Sequence, residues 1–433
     1  MGSMEVDWSS LWRKEDWWAV WLGFLLLAIC TLGLMSWVPK LQKWSTDIGA
    51  AISAMDMPFL VLLGLFLLVL TAVPVFFMEK DRADLGRYAV GFPLVFLLAF
   101  VSLLIAKQAI IHTYGLEYVL WAMIFGLLIS NTVGTPRWLK PAVRPELYIK
   151  IGLVLLGAEI LFQKILAAGA LGMLQAVVVV STVWIFCYLL ALKVGLRKSF
   201  ASVLASGVSI CGVSASIATG GAIKAKPKEI SHTVSLVLLI AIPMLVGLPL
   251  IAKAVNMPEA VAGAWIGGTI DTTPAVVAAG ALYSDKAMQV ASIVKMSQNV
   301  LIGVAAFILS FYWVLYVERK PDEKPSPLEI WYRFPKFVLG FMAASLVFSF
   351  FLVPSMGLDT VSKGILSITK TLRTWLFSMA FVCIGLDTEF KELVKVGGGK
   401  PLVVFLVAQI FNIILTLAVA YLLFGGLLFP SPI

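Results

Sequence analysis

The sequence predicts an all-α, polytopic membrane protein, and its composition is the first observation that predicts it. Of the 433 residues, 61% are apolar and only 13% are charged, and the mean hydropathy is +0.98. A soluble globular domain is about half apolar and about a quarter charged. The composition therefore excludes a soluble globular protein. The net charge of +9 belongs to short loops between apolar segments and does not indicate a nucleic-acid partner.

The second observation is a series of apolar segments, each reaching the roughly 17–25 residues that a membrane-spanning helix needs. They lie at residues 16–38, 58–78, 87–106, 116–133, 147–162, 170–193, 199–224, 229–252, 258–282, 286–317, 334–354, 366–386 and 401–426. The sequence thus predicts about 13 transmembrane helices.

The loops between these segments carry an uneven distribution of Lys and Arg. One side of the membrane receives 21 of these residues and the other receives 11. Because the richer side is normally cytoplasmic, we predict a cytoplasmic N-terminus and an outer C-terminus. The predicted location is the cell membrane, inner or plasma, crossed many times.

Composition also suggests four regions along the chain. Residues 1–85 form additional N-terminal helices, of which residues 1–3 are interpreted as an expression scar. Residues 86–318 hold the transporter portion, residues 319–333 form a polar cytoplasmic linker, and residues 334–433 complete the helical core. The four cysteines show no paired spacing, which indicates neither a disulfide framework nor a metal site.

The third observation is a pair of polar stretches buried in apolar segments, at residues 206–221 and 267–280. Both are crowded with Gly, Ser, Thr, Pro or Asp. Lipid cannot satisfy a loosened backbone, so such stretches occur only inside protein or beside a water-filled cavity. Two interrupted membrane helices are typical of the binding site of a transporter.

In the first stretch, small and hydroxyl-bearing residues surround a predicted opening of the helix near Cys211 and Gly212. A half-helix that starts there presents free N–H groups and a positive dipole end, which suits an oxyanion. The alternative is close packing of helices through small residues. The predicted substrate-binding residues here are Ser209, Cys211, Gly212, Val213, Ser214 and Ser216.

Asp271 is the main candidate in the second stretch. A carboxylate about ten residues inside an apolar span is costly and by default functional. Pro274 breaks the helix and disfavours the α conformation at Thr273. The predicted substrate-binding residues of this stretch are Thr272 and Thr273, and the predicted ion-coupling residues are Asp271, Thr269 and Pro274. Unwound carbonyls with Asp271 and threonine oxygens would hold Na⁺, or Asp271 would carry H⁺. The alternative is a structural ion pair between Asp271 and Lys295.

Lys295 lies inside the following span, with Gln298 and Asn299 close behind it. An intramembrane lysine needs a counter-charge, a helix C-terminus or an anionic ligand. All three residues are predicted to contact substrate, although Lys295 equally fits a structural role. Four residues are weaker candidates. Asn131 and Glu159 lie near span ends, where polar residues often meet headgroups or water, and Lys370 and Arg373 fit either an outer entrance or snorkelling.

A weak internal similarity links residues 151–164 with residues 381–392. Each segment is followed by a Gly-containing turn and a long apolar span, and the predicted topology runs the two copies in opposite directions. An inverted repeat predicts this arrangement. Chance similarity between Leu- and Gly-rich helices is the alternative.

Five stretches carry a resemblance to a known family, namely Gly126–Asn131, Leu147–Gly157, Ser209–Ala215, Thr269–Gly280 and Ile293–Lys295. They resemble the YeiH family of membrane proteins, often labelled sulfate exporters. The first two spans look like an addition to the usual core of that family. Gln298 and Asn299 stand where a basic residue is common.

The YeiH family is similar to sodium/proton antiporters and bile-acid sodium symporters. The resemblance implies an inverted-repeat transporter fold with discontinuous helices that cross at mid-membrane. It also implies that the two polar stretches meet near this crossing.

We therefore expect a secondary active transporter of a small anion (a sulfur oxyanion, sulfonate or carboxylate) coupled to Na⁺ or H⁺ by alternating access. One alternative is a cation/proton antiporter or channel without an anion substrate. Another is a partner-dependent membrane enzyme or sensor subunit. The expected protein is not an enzyme, needs no cofactor besides the coupling ion, contacts lipid but no nucleic acid, and forms a homodimer through the extra N-terminal spans.

Overall fold

The protein is nearly all helical in a computed structural model. The structure describes residues 10–35, 38–52, 56–79, 82–113, 118–160, 162–317, 331, 334–357, 359–389, 391 and 399–430. Within these ranges there is no strand, only an isolated bridge between Trp44 and Gln108. The predicted all-α class is therefore confirmed.

Fifteen helices form the framework of the described chain. They are α1 (Glu15–Thr31), α2 (Met57–Met78), α3 (Arg82–Ala106), α4 (Tyr118–Thr132), α5 (Pro145–Glu159), α6 (Phe162–Lys193), α7 (Lys198–Ser206), α8 (Gly212–Ala222), α9 (Pro227–Ala254), α10 (Glu259–Thr269), α11 (Thr273–Tyr283), α12 (Asp285–Tyr312), α13 (Lys336–Val347), α14 (Leu366–Leu386) and α15 (Lys400–Phe424). Shorter helical turns are Ser10–Arg13, Ile48–Ala51, Ala109–Thr113, Lys140–Ala142, Gly207–Cys211, Trp313–Val317, Phe348–Leu352, Val353–Met356 and Thr360–Ile365.

Eight helical segments of the described chain are long and apolar enough to cross a membrane. They are Met57–Met78, Arg82–Ala106, Ile165–Lys193, Lys198–Ala222, Pro227–Ala254, Asp285–Tyr312, Lys336–Met356 and Lys400–Phe424. Each of the thirteen predicted segments contains helix, but several of these helices are shorter or interrupted. The number of thirteen crossings therefore stays a prediction.

The chain packs into two compact units. Unit 1 comprises Met1–Phe162 and Lys336–Glu389, and unit 2 comprises Gln163–Pro335 and Phe390–Ile433. Unit 1 thus holds α1–α5, α13 and α14, whereas unit 2 holds α6–α12 and α15. The predicted linker at residues 319–333 lies almost wholly outside the described residues, and the four-region division remains a prediction.

In unit 1, the end of α5 packs directly on the backbone of α13. A methyl group on Gly157 would overlap the carbonyl oxygen of Phe341, so glycine is required for this approach. Three residues after Gly157, the carbonyl of Ile160 accepts a hydrogen bond of 2.5 Å from the hydroxyl of Ser345. The end of α5 is thereby fixed to α13 through backbone and hydroxyl contacts.

The end of α14 repeats this pattern against α4. A methyl group on Gly385 would lie 2.8 Å from Cα of Gly126. Three residues after Gly385, the carbonyl of Thr388 accepts a 2.8 Å hydrogen bond from Ser130. In both cases the glycine precedes the acceptor carbonyl by three residues. The contacted residues are four apart on each partner helix, Gly126 and Ser130 on α4 and Phe341 and Ser345 on α13. An internal repeat would produce such matched spacing, and the inverted repeat stays a prediction.

Glu159 and Arg373 form a buried ion pair in unit 1. Arg373 Nε lies 2.8 Å from Glu159 Oε1, and Arg373 Nη2 donates to Oε2 at 3.0 Å. The side chain of Arg373 is 3% exposed and that of Glu159 is 9% exposed. The expectations of snorkelling or an outer entrance for Arg373, and of headgroup or water contact for Glu159, were therefore wrong. Each charge is satisfied by the other, which lets both remain inside the protein.

Candidate functional site formed by two broken helices

The first polar stretch breaks at the predicted place. After α7 the chain forms a wider π-helical turn, Gly207–Cys211, and Cys211 then leaves helical geometry with φ −153° and ψ 67°. Gly212 has φ +23°, a backbone conformation that side-chain-bearing residues rarely adopt. The half-helix α8 begins at Gly212, so its first N–H groups are available inside the membrane segment.

The second polar stretch breaks between α10 and α11. Ile270 (φ −75°, ψ 133°) and Thr272 (φ −117°, ψ 139°) are extended, and Asp271 lies between them. Thr273 begins the half-helix α11, with Pro274 in its first turn, where a missing N–H costs nothing. The prediction that Thr273 leaves the α conformation was wrong by one residue, because the last extended residue is Thr272.

The two breaks meet in unit 2. A methyl group on Gly212 would lie 3.2 Å from Cβ of Asp271 and 3.3 Å from its carbonyl oxygen. It would also overlap the side chain of Val237 on α9. Asp271 is 2% exposed. The structure thus places the carboxylate-bearing break directly against the glycine-bearing break.

Lys295 caps the C-terminal end of the helical segment that precedes the break at Gly212. Its ammonium donates to the carbonyl oxygen of Ile210 at 2.7 Å and to Oε1 of Gln298 at 3.0 Å. A cation at the C-terminal end of a helix is favoured by the helix dipole. The ion pairs of the described residues do not include one between Lys295 and Asp271. Of the predicted roles for Lys295, the structure shows the helix-end contact.

Side-chain amides cap the end of α10. Gln298 Nε2 donates to the carbonyl of Gly268 at 2.9 Å, and Gln409 Nε2 donates to that of Thr269 at 3.0 Å. Asn299 Nδ2 instead donates to Oγ1 of Thr273, at the start of α11. In both broken helices, the C-terminal carbonyls of the first half therefore face hydrogen-bond donors from α12 and α15. The N-terminal ends of the second halves, α8 and α11, face the break.

The three serines predicted to bind substrate in the first stretch divide into two groups. Ser209 and Ser216 are buried, and each donates its hydroxyl proton to a carbonyl of its own helix, on Ala205 and Gly212 respectively. Ser214 is exposed, and Val213 is half-buried. The structure therefore brings Cys211, Gly212 and the buried serines to the break, whereas Ser214 lies at the surface of the chain.

Polar residues that the sequence analysis missed complete the site. On α15, Asn412 Nδ2 lies 3.3 Å from the carbonyl of Val208, and Thr416 donates to Oδ1 of Asn412 at 2.8 Å. On α6, Gln175 donates to the carbonyl of Ala264 at 2.8 Å. The signal was present, because a side-chain amide inside an apolar span commonly hydrogen-bonds to a neighbouring helix.

Buried oxygen atoms without a hydrogen-bond donor gather in this network. Within the described part of the chain they include Asp271 Oδ2, Thr269 Oγ1, Asn299 Oδ1, Gln409 Oε1 and Gln175 Oε1. Buried polar atoms are normally satisfied, so each exception calls for an explanation such as a bound water or ion. All five are oxygens, which is the ligand type that hard cations prefer.

Comparison with known proteins identifies relatives along most of the chain. The family described as Conserved hypothetical protein 698 matches residues 90–405. A UPF0324 membrane protein of Rhodopirellula baltica is 44% identical over 399 residues, covering 90% of this chain and 72% of the relative. One from Nitratidesulfovibrio vulgaris is 45% identical over 387 residues, covering 87% and 65%. The chain thus spans less than two thirds of this second relative.

A third relative matches end to end. This UPF0324 membrane protein of Nitrosomonas europaea is 32% identical over 492 residues, covering 99% of this chain and 100% of the relative. No solved structure matches the chain. The resemblance to the YeiH family is confirmed at the level of the family. The match over residues 90–405, together with these relatives, shows that the chain belongs to the UPF0324 family of membrane proteins.

Proposed function

We propose that the protein is a secondary active transporter of a small anion, coupled to Na⁺ or H⁺ through Asp271. The observation that carries this proposal is the contact between Gly212 and Asp271, where two helices lose their regular hydrogen bonding at the same buried point. Discontinuous helices that meet at a midplane site are a recurring design of secondary transporters.

The polarity of the two breaks favours an anionic substrate. The half-helices α8 and α11 begin at Gly212 and Thr273, and a helix N-terminus attracts anions through its free N–H groups and dipole. The opposite carbonyl ends are occupied by Lys295 and Gln298. The N–H ends are therefore the half-helix termini left for a substrate such as a sulfur oxyanion, sulfonate or carboxylate.

The oxygen atoms around Asp271 support ion coupling. Asp271, Thr269, Asn299 and Gln409 each carry a buried oxygen that lacks a donor among the described residues. This donor set fits Na⁺, and a carboxylate alone suffices to carry H⁺. An exchange of Na⁺ or H⁺ at Asp271 would then bias anion binding. The proposed function needs no catalytic step and no further cofactor.

The matched contacts of Gly157 and Gly385 in unit 1 support alternating access as the transport mode. An internal repeat supplies two similar halves, and exchange of their conformations opens the site to one side and then the other. The cytoplasmic N-terminus, the cell-membrane location and a homodimer through the N-terminal spans are further parts of this proposal.

Transport by the purified protein in liposomes would test the proposal. Uptake of radiolabelled sulfate, thiosulfate, taurine, sulfoacetate and small carboxylates should be measured with an imposed Na⁺ gradient, with a pH gradient and with neither. We expect uptake of one anion class, driven by one of the gradients and lost in Asp271→Asn. The control is Glu259→Gln, an acidic residue on the same broken helix with a side chain 43% exposed. Uptake unchanged in Asp271→Asn would overturn the coupling role.

A cation transporter without an anion substrate is the second candidate. The five buried oxygens favour it, because they would serve a cation alone. It predicts Na⁺ or H⁺ flux in liposomes that contain no anion from the panel. Flux that needs the anion would exclude this candidate.

A further inference from the structure

A basic cleft in unit 1 lies apart from the helix breaks. Its volume is about 360 Å³, and its described lining residues include three lysines. The lining comprises Pro39, Lys40, Leu41, Gln42, Leu103, Lys107, Ser367, Lys370, Thr371, Thr374 and Trp375. Ammonium groups that converge from separate elements on one concave surface raise the positive potential there, and this potential attracts an anion.

The three lysines come from three different elements. Lys40 lies in the segment before α2, Lys107 follows α3, and Lys370 lies on α14. Lys40 donates a 2.6 Å hydrogen bond to the hydroxyl of Ser367. The hydroxyl of Ser367 therefore accepts from Lys40 and keeps its own proton for another acceptor. The count of Lys and Arg in the loops assigns all three lysines to the same, outer side of the membrane.

The cleft has a rigid aromatic wall. Trp375 is buried and stacks on Phe96 with ring centroids 5.0 Å apart and on Phe100 at 6.4 Å. On α14, Ser367, Lys370, Thr371 and Thr374 follow the three- and four-residue spacing of one helix face. The cleft therefore lies between the polar side of α14 and the stacked ring of Trp375.

We propose that this cleft binds an anion that presents phosphate- or sulfate-like oxygens, through Lys40, Lys107, Lys370 and the Ser367 hydroxyl. Ammonium groups are point-charge donors to such oxygens. The anion is either a free oxyanion or the headgroup of an anionic phospholipid, since both present the same oxygens. The proposal stands independently of transport at Asp271, because the cleft shares no residue with the broken helices.

Residue-resolved labelling of lysines tests the proposal on the full-length protein. The purified protein is treated with an amine-reactive reagent in lipid-free detergent, with and without sodium sulfate or phosphate, and then in nanodiscs with and without phosphatidylglycerol. Mass spectrometry measures the labelling rate of each lysine. We expect protection of Lys40, Lys107 and Lys370, while Lys43, which does not line the cleft, labels at an unchanged rate.

Binding affinity supplies the second measurement. Replacing all three cleft lysines by glutamine should weaken binding of the protecting anion by about tenfold or more, because each charge-assisted hydrogen bond contributes substantially. The charge-matched control replaces Lys43, Lys228 and Lys253, all exposed and outside the cleft, by glutamine.

Protection by sulfate or phosphate in detergent would identify a free oxyanion, and protection only by phosphatidylglycerol would identify a lipid headgroup. Equal labelling of the cleft lysines in every condition would overturn the proposal, as would equal weakening of binding in the cleft variant and its control. Asp271→Asn should leave the protection unchanged, which separates a failure of the cleft from a failure of the transport site.

Discussion

Lys295 donates a 2.7 Å hydrogen bond to the carbonyl oxygen of Ile210, 85 residues earlier in the chain. The bond joins α12 to the last turn before the break at Gly212. It places a buried positive charge at a helix C-terminus, where the dipole is negative. We therefore expect the stability of this site and the proposed ion coupling to depend on different residues, which mutations can separate.

Replacement of Lys295 by methionine should destabilise the fold. The carbonyl of Ile210 would lose its donor in a buried position, which costs about 1–3 kcal/mol. Thermal and chemical unfolding in detergent measure the change. Lys286→Met on the same helix serves as the control, because the side chain of Lys286 is 63% exposed and its surface ion pair is worth at most about 1 kcal/mol. Equal stability of both variants would show that the helix-end contact contributes nothing.

Replacement of Asp271 by asparagine should leave thermal stability unchanged or raise it, while it abolishes coupled uptake. Asp271 Oδ2 has no donor among the described residues, and a neutral amide is less costly to bury than a carboxylate. The measurements are unfolding temperature and liposome uptake on the same preparation. A loss of stability as large as that of Lys295→Met would instead indicate that the two residues act as an ion pair.

Gly212→Ala should destabilise the protein and stop transport. The methyl group would contact Asp271 and overlap Val237, and φ at +23° is unfavourable for alanine, so a cost above about 1 kcal/mol is expected. The matched control is Gly221→Ala on the same half-helix, where an added methyl group meets no atom within 4 Å. We expect that variant to gain about 0.4–1 kcal/mol. Similar effects of the two substitutions would refute the close contact at Gly212.

Arg373→Met should be among the most destabilising single changes in unit 1. It leaves the buried carboxylate of Glu159 without its partner, at a cost of about 3–5 kcal/mol. Adding Glu159→Leu removes the orphaned charge and should recover most of this loss. The comparison is Arg87→Met, whose ion pair with Asp84 is at the surface, with Arg87 54% exposed, and which should cost at most about 1 kcal/mol. A double variant that is no more stable than Arg373→Met would contradict the burial of this ion pair.

Gln409→Met tests the capping of α10. Methionine has a similar length but lacks the amide, so the carbonyl of Thr269 would keep only the 3.4 Å contact with Asn412. We expect destabilisation by about 1–2 kcal/mol. We also expect a weaker stabilisation of the fold by Na⁺, since the Gln409 carbonyl oxygen would be lost as well. Unfolding measured across a Na⁺ titration reports both effects, and an unchanged response to Na⁺ would remove Gln409 from the proposed cation site.

The sequence by itself determined the membrane class and the location of the helix breaks. The class follows from apolar segments too long and too poorly charged for a soluble protein. The breaks follow from local backbone chemistry: Gly212 adopts a positive φ that side chains disfavour, and Pro274 has no N–H to donate. Both effects act within a few residues, so they can be recognised without knowledge of the packing.

Only the tertiary structure decided which polar groups meet. The pairs Lys295 with Ile210, Gln409 with Thr269, and Arg373 with Glu159 join residues between 85 and 214 positions apart. A membrane helix is apolar toward both lipid and protein, so its sequence carries little periodicity to mark the face that packs inward. Arg373 was therefore assigned to the surface, and Gln175, Gln409 and Asn412 were missed. The packing of helices supplied the partners that the apolar pattern could not specify.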